Sequence, residues 1–210
     1  MALALACAAG CHTRHPKLDG GPVAATPSAP GDDDGGAAAD GASGADIPSL
    51  LFNSDFAKDD GVDGWAPEFP ATIEWGDLDA REDPQSGSLT VANANQASVD
   101  GVTEAGAMQC LGIPGGGAYW VGADVFIPGG QGEGSAGMRL RYYASDDCTG
   151  TPLGTVSAAM LDTTDAWTRL RTSMSPPMEA GSMLVRMVVS KAFRAPPMIA
   201  LFDDVVVQSK

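Results

Sequence analysis

The residues best suited to chemistry stand at the two ends of the chain's apolar part. Asn53-Ser54-Asp55-Phe56 lies at one end and Phe202-Asp203-Asp204-Val205-Val206-Val207 at the other. Aspartate is disfavoured in strands. Two carboxylates ahead of a β-branched run therefore call for a task. If the first and last strands of a sandwich lie side by side, Asp55, Asp203 and Asp204 meet. Together they can then hold a hard cation such as Ca²⁺, which takes several oxygens at once. Asp59, Asp60 and Asp63 are close by in sequence. The alternative is that alternation exposes one Asp of the pair while the other caps a turn.

A second set of residues combines flat rings with bidentate polar groups. In Met138-Arg139-Leu140-Arg141-Tyr142-Tyr143, a period of two puts Leu140 and Tyr142 on one face and Arg139, Arg141 and Tyr143 on the other. In the segment 119–126 the core set is Tyr119, Val121, Ala123 and Val125. Trp120, Gly122, Asp124 and Phe126 face the opposite way. A pyranose stacks its C–H face on a flat ring, and its hydroxyls take paired contacts from Arg or Asp. Trp120, Tyr143, Arg141, Asp124 and Trp75 are the candidates for such a face. The competing reading makes Trp75 and Trp120 core or edge-covering residues; Trp65 and Trp167 are assigned to packing. The arginines at 139, 141, 169, 171 and 186 recur at alternate positions. They read either as outward groups paired with surface carboxylates or as a basic stripe suited to acidic sugars.

The elements that must position these groups read as strands. They are expected near 48–53, 71–76, 87–93, 105–112, 118–127, 137–144, 153–160, 167–174, 182–190 and 198–208. Turn marks such as Pro128-Gly129-Gly130, Asp146-Asp147 and Pro176-Pro177 separate them. No window carries an apolar repeat of helical period over three turns. The expected fold class is all-β, a jelly-roll sandwich of two antiparallel sheets behind a disordered N-terminal tether.

Composition narrows the function classes. The formal net charge is -15, which disfavours nucleic acid and anionic lipid surfaces as partners. The only two histidines, His12 and His15, precede the apolar part. Ser–His and Cys–His nucleophile pairs are therefore missing from it. A non-enzyme is expected.

The first eleven residues end in Ala8-Ala9-Gly10-Cys11 after a short apolar run. They resemble the tail of a secretory signal peptide with a lipobox, Cys11 being the lipidated residue. Residues 12–46, rich in Ala, Gly, Pro and Asp, are expected to be a disordered tether. Residues 47–210 are the expected folded domain. Removal of the leader takes Cys7 with it and leaves Cys110 and Cys148 as the domain's thiols. In an exported domain they have one intramolecular pairing, a disulfide. A redox or nucleophilic Cys would need a base partner, and the domain has no His.

The order of Asn53-Ser54-Asp55-Phe56, Gly64-Trp65, Ser86-Gly87-Ser88-Leu89-Thr90-Val91, Gln109-Cys110, Ile113-Pro114-Gly115, Trp167-Thr168-Arg169-Leu170 and the Phe202-Asp203-Asp204 end resembles one known group. It is that of carbohydrate-binding modules of the family four and nine type, with a galactose-binding-like jelly roll. The resemblance spans about 48–208. It implies a polysaccharide or other glycan partner and a structural Ca²⁺ where the two ends meet. One departure is Ala57, where the family commonly has an acidic residue. The expectation is a monomeric glycan-binding lipoprotein on the outer membrane or cell surface, or in the periplasm. It would touch the membrane only through the lipid on Cys11. The alternatives are a structural or adhesive envelope protein without sugar binding, and an accessory module of a glycoside hydrolase system.

Overall fold

Alternation of apolar and polar residues builds two sheets. The computed structural model describes residues 49–96, 101–162 and 165–210. The leader, Cys11, the two histidines and the tether lie outside the described residues. The strands are β1 (Ala66–Glu68), β2 (Thr72–Gly76), β3 (Ser88–Asn93), β4 (Val102–Gly112), β5 (Tyr119–Phe126), β6 (Gly134–Tyr143), β7 (Gly154–Leu161), β8 (Thr168–Met174), β9 (Ser182–Ala192) and β10 (Met198–Ser209). One sheet, here sheet A, has the order β1-β4-β9-β6-β7, and sheet B has the order β2-β3-β10-β5-β8. Adjacent strands pair antiparallel throughout. This is the expected all-β sandwich.

The inner faces close on one core. Tyr119, Val121, Ala123 and Val125 of β5 meet Leu140 and Tyr142 of β6 and Met183, Val185, Met187 and Val189 of β9. Burying each such aliphatic side chain is worth about 1.5–3 kcal/mol. Four methionines at such positions, Met138, Met183, Met187 and Met198, are at most 2% exposed and fill irregular space between the sheets.

Two elements differ from expectation. The three residues of β1 were not anticipated, because Pro67 and a short span carry no strand pattern. The segment expected as a strand at 48–53 is not one, yet it lies along β10. Leu50 N–H donates to Val207 O at 2.8 Å, and Val205 N–H donates to Ser54 O at 2.8 Å. The cause is in β10. Its pairing with β3 ends at Phe202, and its pairing with β5 shifts register between Asp203 and Val206. Asp204 sits there with φ 46°, a left-handed conformation that Asp tolerates better than most residues. The two aspartates thus build a β-bulge, and the N-terminal segment takes over the backbone groups that β3 leaves.

Around the bulge the chain is fastened by polar bonds and one buried ring. The Asp203 carboxylate, 1% exposed, accepts from Ala80 N–H at 2.8 Å and from Asp204 N–H at 2.6 Å. Phe56 is fully buried and packs 5.8 Å from the Trp65 ring. Its carbonyl accepts from Trp75 Nε1 at 3.0 Å, and Asn53 O accepts from Trp65 Nε1 at 3.2 Å. The disulfide expected between Cys110 and Cys148 is formed. It ties the end of β4 to the loop after β6, across β9, which lies between those strands.

Closing a loop of sequence separation 38 constrains the unfolded chain. Replacing both cysteines with serine is expected to lower unfolding stability by about 3–4 kcal/mol, read by urea denaturation. A pH effect is expected at Asp203. Burial pushes its carboxyl up from 3.8 to about 7, against the pull of its two amide partners, with Asp204 and Asp79 adding to the rise. A carboxyl raised in the folded state binds its proton more tightly folded than unfolded. Its contribution is complete below the unfolded value and fades as pH rises through about 7. In EDTA, the melting temperature of the wild type relative to Asp203→Asn is therefore expected to fall between about pH 5 and about pH 8.

Candidate functional site

The outer face of sheet A is paved with ion pairs. Register puts Arg139 of β6 directly opposite Arg186 of β9. Like charges so placed repel, and each guanidinium turns to its own carboxylate. Arg139 Nη1 donates to Glu104 Oε2 at 2.6 Å, and its Nη2 meets Glu104 Oε1. Arg186 reaches in the same direction one strand further on, across β4, with Nε 3.1 Å from Glu68 Oε2 and Nη2 on the same oxygen. Arg186 is only 3% exposed although it stands on an outer face, and Val188 beside it is fully buried. Gly106 makes this close fit workable. A Cβ there would come within 2.5 Å of Met187 O and 3.5 Å of Glu68 Oε2. The result is a floor of planar groups carrying paired donors and acceptors.

Arg141 and Tyr143 continue the same row of β6. Arg141 is half-buried, and among the described residues it has no carboxylate partner. Tyr143 is 6% exposed, so it does not present the open ring expected of it. The neighbouring loop accounts for this. Cys148 N–H donates to Ser182 Oγ at 2.9 Å, and Gly181 N–H donates to Tyr143 O at 2.8 Å. Together with the disulfide these bonds fold the turn over that end of the sheet.

Trp120 and Asp124 stand on the opposite side of the molecule, on the outer face of sheet B. The five residues expected to form one sugar face therefore divide between two faces. Asp124 is bound by Arg169, whose Nε lies 2.8 Å from Oδ1 while Nη2 holds Oδ2. Arg169 also reaches Asp204 at 3.2 Å, and Arg81 Nε lies 2.6 Å from the same Asp204 oxygen. The hydrogen bond to Asp124 holds the Arg169 guanidinium well above its ordinary value. Burial raises the Asp204 carboxyl against the opposing pull of Arg81. The Trp120 ring carries two cations, the Arg171 guanidinium 5.0 Å and Lys210 Nζ 3.8 Å from its centre. An open groove of about 1040 Å³ runs along this face, between β5, β8 and β10 and the segment 49–55. The basic stripe also divides, with 139, 141 and 186 on sheet A and 169 and 171 on sheet B.

Trp75 belongs to neither face. It packs inward against the core, its Nε1 is spent on Phe56 O, and Gly87 lies against its ring so closely that a Cβ would approach to 2.5 Å. Trp65 packs in the core as expected, whereas Trp167 is half-buried outside it, its ring 5.5 Å from Phe126.

Two of the three carboxylates expected to hold Ca²⁺, those of Asp203 and Asp204, are engaged otherwise. Asp204 faces two guanidinium groups, Asp203 is held by two amides, and Asp55 offers its carbonyl to Ser86 Oγ. Among the described residues no group of three or more His, Cys, Asp or Glu side chains is arranged to hold a metal ion. As arranged, Asp203 and Asp204 do not fit the cation, because two amides hold the one and two guanidinium groups the other.

The sequence reading missed Glu68, the pairing role of Glu104, and Lys210. Glu68 went unseen with β1, and Glu104 stands one residue ahead of the strand expected at 105–112. Lys210 follows the last expected strand, and only the fold brings it to Trp120.

No family model and no curated protein matches the chain by sequence. Solved structures with the same fold do. The enzymatically active domain of tailspike protein 4 of bacteriophage CBA120 aligns with a TM-score of 0.57 and 10% identity, over 77% of this chain and 21% of that one. The C-terminal family 22 carbohydrate-binding module of Clostridium thermocellum Xyn10B aligns at 0.55 and 19% identity, over 77% of this chain and 96% of that one. The second xylan-binding family 22 domain of Paenibacillus barcinonensis Xyn10C aligns at 0.55 and 13% identity, over 75% and 98%. The chain thus spans about a fifth of the tailspike domain and nearly the whole of each isolated module. At these identities the shared property is the jelly-roll fold, which family 22 carbohydrate-binding modules also have.

Proposed function

We propose that this domain is a non-catalytic glycan-binding module and that a neutral polysaccharide chain lies across the outer face of sheet A. The observation that carries the reading is the half-exposed Arg139–Glu104 pair, held beside the buried Arg186–Glu68 pair. Sugar hydroxyls come in adjacent pairs, each able to donate and accept. A fixed guanidinium–carboxylate unit offers both partners in one plane, at no cost of ordering on binding. Arg141, adjacent and half-buried without a counter-ion, is the group freest to turn toward a ligand. The family 22 modules of the same fold include domains named for xylan binding, which makes a β-linked plant polysaccharide the first ligand to try. The Cys11 lipobox and the residues that follow support a further proposal. The domain is exported and displayed as a monomeric lipoprotein on a bacterial envelope, held off the membrane by residues 12–46.

The test is affinity electrophoresis of the full chain through gels containing soluble xylan, other neutral polysaccharides, or none. Retardation by at least one neutral glycan is expected. Arg141→Ala is expected to weaken it roughly tenfold, as for a charged hydrogen-bonding group, without changing the melting temperature by more than a few degrees. Unchanged mobility in every gel, from protein that melts cooperatively, would remove the reading.

A further inference from the structure

In this acid-rich chain four arginines that line the two outer sheet faces or the bulge, Arg81, Arg139, Arg169 and Arg186, are each paired with a carboxylate. Arg171 and Lys210 differ from these in sharing one aromatic ring. Among the described residues neither has a carboxylate partner, yet both converge on Trp120, at 5.0 and 3.8 Å from the ring centre. They come from different strands. Arg171 lies on β8, opposite Gly122 of β5, and Lys210 follows β10, its N–H bonded to Ala118 O at 2.8 Å. Gly122 is essential to the approach. A Cβ there would come within 2.4 Å of Leu170 O, so the sheet has no side chain between the Arg171 and Trp120 positions. Two like charges held on one ring repel each other. The indole quadrupole offsets part of that cost, and an anion placed between them would offset the rest.

The surroundings favour an anion that belongs to a chain rather than a free one. The two cations line the sheet B groove together with Gln208 and Arg169, and Arg169 fixes Asp124 and Asp204 so that neither neutralises Arg171 or Lys210. Asp55 lines the groove as well, as one carboxylate among its cations. We infer that Trp120, Arg171 and Lys210 form a second binding site, separate from the sheet A face, that takes an acidic sugar unit of a polysaccharide. The carboxylate or sulfate group lies between the two cations, and the sugar ring lies along the groove. This site does not depend on the neutral-glycan reading of sheet A.

The full chain is titrated, with tryptophan fluorescence as readout, against polygalacturonate, dextran sulfate and neutral dextran. Saturable quenching by at least one of the first two is expected, and none by neutral dextran. The affinity is expected to fall as salt is raised. The Arg171→Gln, Lys210→Gln double variant is expected to bind at least tenfold more weakly, while Arg171→Lys retains most of the affinity. Trp120→Phe should abolish the quenching signal while leaving the other tryptophans' emission in place. Binding of an acidic polymer with equal affinity by the double variant would overturn the site, as would no response to either acidic polymer. Arg141→Ala should leave this titration unchanged. Loss of sheet A binding and loss of this site are therefore separately visible.

Discussion

The fold depends on how its last strand stops pairing with its neighbour. β10 lies at the centre of sheet B, and a central strand cannot leave its backbone groups unpaired. At Asp203 and Asp204 it bulges, parts from β3 and continues beside β5 alone. The exposed ladder is taken up by the segment from Ser49 to Ser54, which enters from the other end of the sequence. That contact brings Phe56 into the core and sets Trp65 and Trp75 around it, each fastened by its indole N–H to a backbone carbonyl of 53 or 56. The bulge therefore fixes one end of the domain, and the Cys110–Cys148 bridge fixes sheet A.

The same economy shapes the outer faces. Charges that register places side by side on a sheet face must be matched or costly. Sheet A resolves this with Arg139–Glu104 and Arg186–Glu68. Removing one partner from the nearly buried Arg186 would leave an uncompensated charge, which is far more destabilising than the pair is stabilising. Such a face is rigid, and rigidity is what a binding surface needs if ordering is not to offset affinity. Sheet B resolves its charges in a chain, Asp124 to Arg169 to Asp204 to Arg81, which leaves Arg171 and Lys210 outside it.

Most of the sandwich is legible in the sequence because period-two alternation directly reports which face is buried. Tyr119, Val121, Ala123 and Val125 turn inward as their spacing requires, and Arg139 and Arg141 turn outward. What alternation cannot report is which sheet a strand joins. Trp120 and Arg141 both point outward, but β5 and β6 belong to different sheets, so one expected face becomes two. Nor does it report a bulge. Asp203-Asp204 reads as a metal site when its chemistry is considered alone, because carboxylates are the commonest hard-cation ligands. The backbone gives them different work: one accepts two amides and the other bears a left-handed turn. The pairing of Cys110 with Cys148 was legible for a simpler reason, since only one partner remained.

A chain with 27 acidic and 12 basic residues has little positive charge to spare. Where it places cations therefore carries more information than where it places acids. Arg186 and Arg139 are spent on flattening sheet A. Arg81 and Arg169 are spent on Asp204, and Arg169 on Asp124 as well. Lys191 is buried and satisfied by two backbone carbonyls, those of Asn95 and Ala195. Each of these assignments closes a local charge balance. Arg141 on one face and the Arg171–Lys210 pair on the other leave it open, and an open balance on a rigid sheet face is what a ligand can close.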